Sequence, residues 1–176
     1  KIVVITGSPH KHGASATLAE QFIKGATEAG HEVFRFDAAF KKVGPCTACD
    51  HCQKTKEGCV QKDDMLELNP HLIAADVVVF ASPIYYYNIN AQIKKVIDRF
   101  YANNSALQVN KKAVMLLSCG DDTLESAEGP LASFKGMTNY LGWTNLGHVV
   151  ALACNNAEDV LKSKFASQAY ELGKSL

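Results

Sequence analysis

Residues 7–18, Gly-Ser-Pro-His-Lys-His-Gly-Ala-Ser-Ala-Thr-Leu, crowd hydroxyls and two glycines between an apolar run and a helical repeat. The chemistry these residue types suit is anion binding. Ser8, Ser15 and Thr17 offer O–H donors to phosphate oxygens, and a helix starting near Ser15 would turn its first amide groups and positive dipole end toward the loop. Two other phosphate loops are excluded by spelling. The nucleoside-triphosphate loop needs Lys and then Ser or Thr after its second glycine, but Gly13 is followed by Ala14. The dinucleotide fingerprint needs three glycines at G-x-G-x-x-G spacing, and the glycines here are too sparse. A serine-capped helix after an ordinary strand–helix turn is the plain alternative, and it leaves the other hydroxyls and glycines unexplained.

Two further clusters could do chemistry. Ser82-Pro83-Ile84-Tyr85-Tyr86-Tyr87-Asn88 follows another apolar run, and its aromatics and free amides suit a flat polar ring. The tyrosines would equally suit packing on a helix or a dimer face. Cys46, Cys49, Cys52 and Cys59 read C-x2-C-x2-C-x6-C. The first three repeat the spacing of bacterial ferredoxin runs that grip iron–sulfur clusters, although there the fourth interval is three residues and a proline follows, where this chain has Val60. Zinc is a second candidate, but structural zinc sites usually pair two separated knuckles. A third reading leaves the thiols reduced and unliganded. Cys119 and Cys154, at the ends of expected strands, read as small buried apolar residues.

The elements that must position these clusters follow from periodicity. Ile2-Val3-Val4-Ile5 is continuously apolar, as in a parallel strand covered on both faces. Glu32–Asp37 alternates and suits an edge. Asp76–Ala81, Lys112–Ser118 and His148–Cys154 supply three more buried strands. Helical stripes lie between them: Leu18, Phe22 and Ala26; Ile89, Ile93, Val96, Ile97 and Phe100; Leu131, Phe134, Met137 and Leu141; and Leu161, Phe165, Ala169 and Leu172. Asp63–Ala75, with apolar Met65, Leu66, Leu68, Leu72 and Ile73, should form a broken or kinked helix because Pro70 interrupts it. Strand and helix in alternation build right-handed crossovers, giving an α/β fold with five parallel strands between helical layers. One domain over residues 1–176 is expected, with a cysteine-rich insertion at about 40–63.

Composition narrows the partners. The chain has 176 residues, is 47% apolar, and balances 18 basic against 18 acidic side chains. No net field favours nucleic acid or an anionic membrane, so small molecules are the expected partners. The apolar runs are strand-sized and residues 1–20 lack a secretory signal, so a cytoplasmic location without structural disulfides is expected.

Taken together, Gly7-Ser8-Pro9 with Gly13–Leu18, Ser82–Tyr85 with Asn88 and Gln92–Arg99, and Cys46–Met65 resemble the flavodoxin-like NAD(P)H-dependent FMN reductase family across most of residues 1–120. The cysteine insertion followed by Val60, Asp63, Asp64 and Met65 looks most like its iron-sulfur flavoprotein branch. The resemblance implies a flavodoxin-like three-layer sandwich with sheet order 2-1-3-4-5. It implies FMN, with the phosphate on Ser8, His10, Ser15, Ala16 and Thr17. The ring would lie beside Pro83, Ile84, Tyr85, Tyr86 and Asn88, flanked on its other side by Ser118, Cys119 and Gly120. It makes a four-iron four-sulfur cluster the leading ligand of Cys46, Cys49, Cys52 and Cys59, and implies a homodimer or homotetramer.

The function that follows is NAD(P)H-dependent reduction of flavins, quinones, azo or nitro compounds, or of a protein electron acceptor. Cofactor chemistry carries such a reaction, so no catalytic side chain is assigned, and Asp121, Asp122 and the six histidines are read as surface residues. Two rivals stand beside it. A non-enzymatic electron carrier would favour a strongly acidic face, against which the balanced charge argues. A metal-stabilised module would hold a different phosphate.

Overall fold

The continuous apolar spelling of β1 (Ile2–Thr6) has a direct structural cause: Val3 and Ile5 point into one core, while Ile2 and Val4 point into another on the opposite face. The computed structural model describes all residues, Lys1–Leu176. β1 pairs in parallel with β2 (Val33–Asp37) on one side and β3 (Val77–Tyr85) on the other. A short strand, β4 (Asn88–Ile89), folds back antiparallel on the end of β3. β5 (Lys112–Ser118) and β6 (Thr144–Ala151) extend the parallel sheet beyond β3. The spatial order β2-β1-β3-β5-β6 is the expected order of five parallel strands, with β4 as a sixth, unexpected one.

Helices cover both faces. α1 (Ala14–Glu28), α7 (Ala157–Lys162) and α8 (Lys164–Lys174) bury Leu18, Phe22, Val160 and Ala169 against one face. On the other, α3 (Met65–Ala74), α4 (Ala91–Asp98) and α6 (Glu125–Leu141) bury Leu68, Leu72, Ile93, Val96 and Phe134. Each large apolar side chain so buried contributes roughly 1.5–3 kcal/mol. Two short helices complete the chain, α2 (His51–Thr55) among the cysteines and α5 (Asn104–Leu107) before β5. No helix is long and apolar enough to cross a membrane.

Five expectations change. Ile89, read into a helical stripe, lies in β4, and α4 begins after it at Ala91. β3 continues four residues past Ala81, because Ser82–Tyr85 keep pairing with β5 and β4. β6 starts at Thr144 rather than His148, its polar first residues pairing with Lys112 and Ala113 at the exposed end of the sheet. Pro70 does not break α3: it forfeits one backbone bond, and fully buried Leu68 and Leu72 hold the helix on both sides of it. The last stripe is split, since Ser163 ends α7 and caps α8 by accepting from the Phe165 amide, which leaves Leu161 exposed.

α1 and α8 touch backbone to backbone through a reciprocal glycine pair. A Cβ on Gly25 would overlap the Tyr170 carbonyl, and one on Gly173 would overlap the Phe22 carbonyl. Gly25→Ala gains about 1 kcal/mol of helix propensity. It also forces apart two helices whose contact atoms are backbone and cannot rotate away, at roughly 1–3 kcal/mol. The steric cost exceeds the gain in propensity, so urea denaturation should show a less stable protein; a more stable one would refute the close approach.

Candidate flavin cleft and cysteine pocket

Both sites grow from the carboxyl end of the sheet and the segments that leave it. At the end of β1 the chain turns through Gly7–Gly13 into α1, whose N-cap, Gly13, brings no side-chain oxygen to the first-turn amides. Nor does the first turn carry an acid. The amino terminus of this helix is left for an outside anion. Ser15 sharpens the point, because its hydroxyl is buried and has no hydrogen-bond partner. Leaving such a group unpaired costs roughly 1–3 kcal/mol, a deficit that a ligand oxygen would remove.

A cavity of about 170 Å³ opens here. Ser8, His10 and Ser15 line it from the loop, Pro83, Ile84 and Tyr85 from the end of β3, and Ser118, Cys119 and Gly120 from the end of β5 and the loop after it. A second cleft of about 290 Å³ shares Ile84, Cys119 and Gly120 and continues to Tyr86, Tyr87, Asp121 and Ser126. The other residues assigned to the cofactor lie apart. Thr17 is buried, its hydroxyl donating to the Gly13 carbonyl at 3.0 Å, and Ala16 is buried in the first turn without lining the cavity. Asn88 uses its side-chain oxygen to accept from the Ile89 amide at 2.8 Å and lines neither space. Ser8 donates to the His10 carbonyl at 2.8 Å and accepts from the His10 amide at 3.1 Å, so its hydroxyl shapes the loop.

Periodicity does not single out Asn90 or Asn155, and it reads Cys154 only as a small buried residue at a strand end. Cys154 and Asn155 line the cavity, and the Cys154 amide donates to the Cys119 carbonyl at 2.9 Å, joining the loops after β5 and β6. Burial pushes both the Cys119 and Cys154 thiols up, so they stay protonated near neutrality. Asn90 is buried at the N-cap of α4 and ties the two halves of the cleft together. Its amide nitrogen donates to the Gly7 carbonyl, and its side-chain oxygen accepts from the Ser82 hydroxyl at 3.2 Å and the Ile93 amide at 3.4 Å. Gly7 has to be glycine here, since a Cβ would run into that oxygen.

The rim is built from a strained turn. Tyr85 pairs with Asn88 across a two-residue hairpin whose central residues, Tyr86 and Tyr87, have φ of +47° and +61°. Left-handed backbone costs a non-glycine residue roughly 1–2 kcal/mol. The result is a wholly exposed Tyr86 and a largely exposed Tyr87 beside the second cleft. Across from them the Asp121 carboxyl is held below the usual range, first by the Ser126 hydroxyl at 2.7 Å and then by the Thr123 amide.

The four cysteines of the insertion line one depression together with Arg99 and Tyr101. All four are free thiols. Ala48 and Asp50, at φ of +53° and +56°, reverse the chain between successive cysteines so that Cys46, Cys49 and Cys52 reach the same depression. Cys49 is held below the ordinary thiol range, first by the His51 amide and next by the Thr47 hydroxyl. No three thiols, imidazoles or carboxylates converge on a single metal-ion position.

Beneath lies Arg99, just past α4, with its side chain 2% exposed. Its guanidinium donates to Asp63 at 2.7 Å and 3.3 Å, to the Gly44 carbonyl at 2.9 Å, and to the side chain and carbonyl of Gln61. Burial opposes ionisation of Asp63, but Arg99 and the amides of Gly44 and Met65 outweigh it and hold the carboxyl below its usual range.

Residues 1–157 match the family of NADPH-dependent FMN reductases. An iron-sulfur flavoprotein of Archaeoglobus fulgidus is 44% identical over 142 residues, covering 80% of this chain and 71% of that protein. A second iron-sulfur flavoprotein of the same organism is 41% identical over 99 residues, covering 56% of this chain and 44% of that one. A further one, from Methanocaldococcus jannaschii, is covered to 50%, so the chain spans about half the length of these two relatives. Among solved structures, the NAD(P)H:quinone oxidoreductase of Methanothermobacter marburgensis superposes with a TM-score of 0.79 at 19% identity, covering 99% of this chain and 94% of that one, a likeness of fold. With a family match over nearly its whole length, a flavodoxin-like sheet and an uncapped helix at the end of β1, this chain belongs to the NADPH-dependent FMN reductase family.

Proposed function

We propose that the protein is an FMN-dependent NAD(P)H oxidoreductase that delivers electrons to a planar organic acceptor. The unpartnered Ser15 hydroxyl at the uncapped start of α1 carries this reading, since a phosphate monoester supplies the acceptor that this hydroxyl and the first-turn amides lack. The residues fit FMN. Ser15, with the amides at the start of α1, would hold the phosphate; Pro83–Tyr85 and Ser118–Gly120 would face the ring from two sides. Bound there, FMN would supply hydride acceptance from reduced nicotinamide and onward electron transfer. Tyr86 and Tyr87 rim the open side, where nicotinamide and acceptor would stack in turn. Cys119 and Cys154, kept neutral by burial, add no charge to the cavity wall.

We further infer that Cys46, Cys49, Cys52 and Cys59 hold a four-iron four-sulfur cluster. Four thiols ring one depression beside a buried cation, and relatives carry the iron-sulfur name. Three cysteines at two-residue intervals favour a cluster over zinc, whose structural sites usually pair two separated knuckles. If the cluster is the sole electron exit, the protein acts as a carrier between proteins.

An absorbance spectrum and an anaerobic NADPH oxidation assay test both parts. Purified protein should bind one FMN per chain and turn over NADPH with a quinone acceptor. A protein that stays colourless in excess FMN refutes the proposal, and an FMN-loaded protein inert with NADPH favours the carrier.

A further inference from the structure

The cysteine segment, residues 46–59, is polar and carries only the short helix α2, so something outside it must hold it in shape. Arg99 meets both of its ends. The guanidinium takes the Gly44 carbonyl on the amino-terminal side of Cys46, and Gln61 and Asp63 on the carboxyl-terminal side of Cys59. One planar fork closes the segment into a loop, a geometry that arginine supplies and lysine does not. The Cys59 thiol lies beside the same guanidinium, and the Arg99 Nε is buried without a partner.

We propose that Arg99 is the positioning and charge-setting residue of the four-cysteine pocket: it clasps the segment so that the thiols face one depression, and its positive charge favours electron uptake there. The proposal rests on the reading of Cys46, Cys49, Cys52 and Cys59 as ligands of an iron–sulfur cluster. An added electron brings one negative charge to the pocket, so a buried cation beside it raises the reduction potential and a buried anion lowers it. Arg99 and Asp63 therefore act with the same sign on shape and with opposite signs on potential.

Arg99→Gln, Arg99→Lys and Asp63→Asn are compared with the parent, all FMN-loaded and matched for flavin content to show that the fold is kept. In the metal-free proteins, maleimide labelling of Cys59 should accelerate about tenfold in both Arg99→Gln and Asp63→Asn, corresponding to about 1.4 kcal/mol of lost closure. After anaerobic reconstitution with ferrous iron and sulfide, a redox titration followed by visible absorbance should place Arg99→Gln below the parent, Asp63→Asn above it, and Arg99→Lys close to it. Potentials of the two neutralising variants that move together, or not at all, overturn the charge-setting role. Unchanged labelling in Arg99→Gln overturns the clasp. A parent protein that takes up no iron overturns the cluster reading and the charge-setting role with it, and leaves the clasp to be judged by labelling.

Discussion

Ser15→Asp is expected to strip the protein of FMN while leaving it folded. An acid in the first turn of a helix is favourable by about 0.3–1 kcal/mol, and α1 has none, which offsets part of the cost of placing a carboxylate where Ser15 is 1% exposed. The same carboxylate would stand where the phosphate is proposed to bind. Two like charges about 4 Å apart repel by roughly 4 kcal/mol at the effective dielectric of a partly buried site. The repulsion is much stronger than the gain at the helix end, so FMN affinity should fall by at least about a hundredfold, or 2.8 kcal/mol. Protein purified from cells would lack the yellow absorbance of bound flavin. Ser15→Ala is the milder companion, removing one ligand hydrogen bond and weakening FMN by about 1 kcal/mol without harm to the apo protein. Retention of stoichiometric yellow cofactor by Ser15→Asp would contradict the site.

Asn90→Ala should be the most destabilising single change around the cleft. The substitution leaves the Gly7 carbonyl and the Ile93 amide short of a partner inside the protein, while the Ser82 hydroxyl keeps the Pro83 carbonyl at 2.8 Å and the amide of residue 90 at 3.1 Å. Each such group costs roughly 1–3 kcal/mol, and relaxation recovers part of the total, so a loss of about 3–4 kcal/mol is expected. In a chain of this size that lowers the melting temperature by roughly 6–16 °C, measurable by circular dichroism of FMN-free protein. Asn90→Asp should not rescue it, since a carboxylate oxygen would then face the Gly7 carbonyl. A change below about 1 kcal/mol would show that the two cleft walls are held by other contacts.

These two side chains differ in how legible they are in the sequence. Ser15 stands in a local pattern, a hydroxyl-rich turn between a strand and a helix, and local patterns survive in sequence because their physics acts over a few residues. The parallel strands are visible for a similar reason, as Ile2–Ile5, Val77–Phe80 and Val114–Leu117 are apolar on both faces. Asn90 acts on Gly7 across 83 positions and Arg99 on Gly44 across 55, and no periodicity encodes a partner at such a distance. The β3–β4 hairpin escapes for another reason. Its turn type ordinarily advertises itself with Asn-Gly, whereas Tyr86 and Tyr87 occupy the left-handed positions here. The cysteine spacing stands out at once, but the convergence of its segment on Arg99 does not.

α4 links the two sites. Asn90 caps its start against the loop after β1, and Arg99 follows its end beneath the cysteines, nine residues and about 13 Å of helix rise away. The proposed flavin cleft and the cysteine pocket are thus set on opposite ends of one rigid element.

The most direct test is a fluorescence-quenching titration of the FMN-free protein with FMN and, separately, with riboflavin, which differs only in lacking the phosphate. Two or more charge-assisted bonds at about 1.5–3 kcal/mol each predict that FMN binds at least about a hundredfold more tightly. Equal affinity for the two would mean that the start of α1 holds no phosphate, and the proposed cofactor site would fail with it.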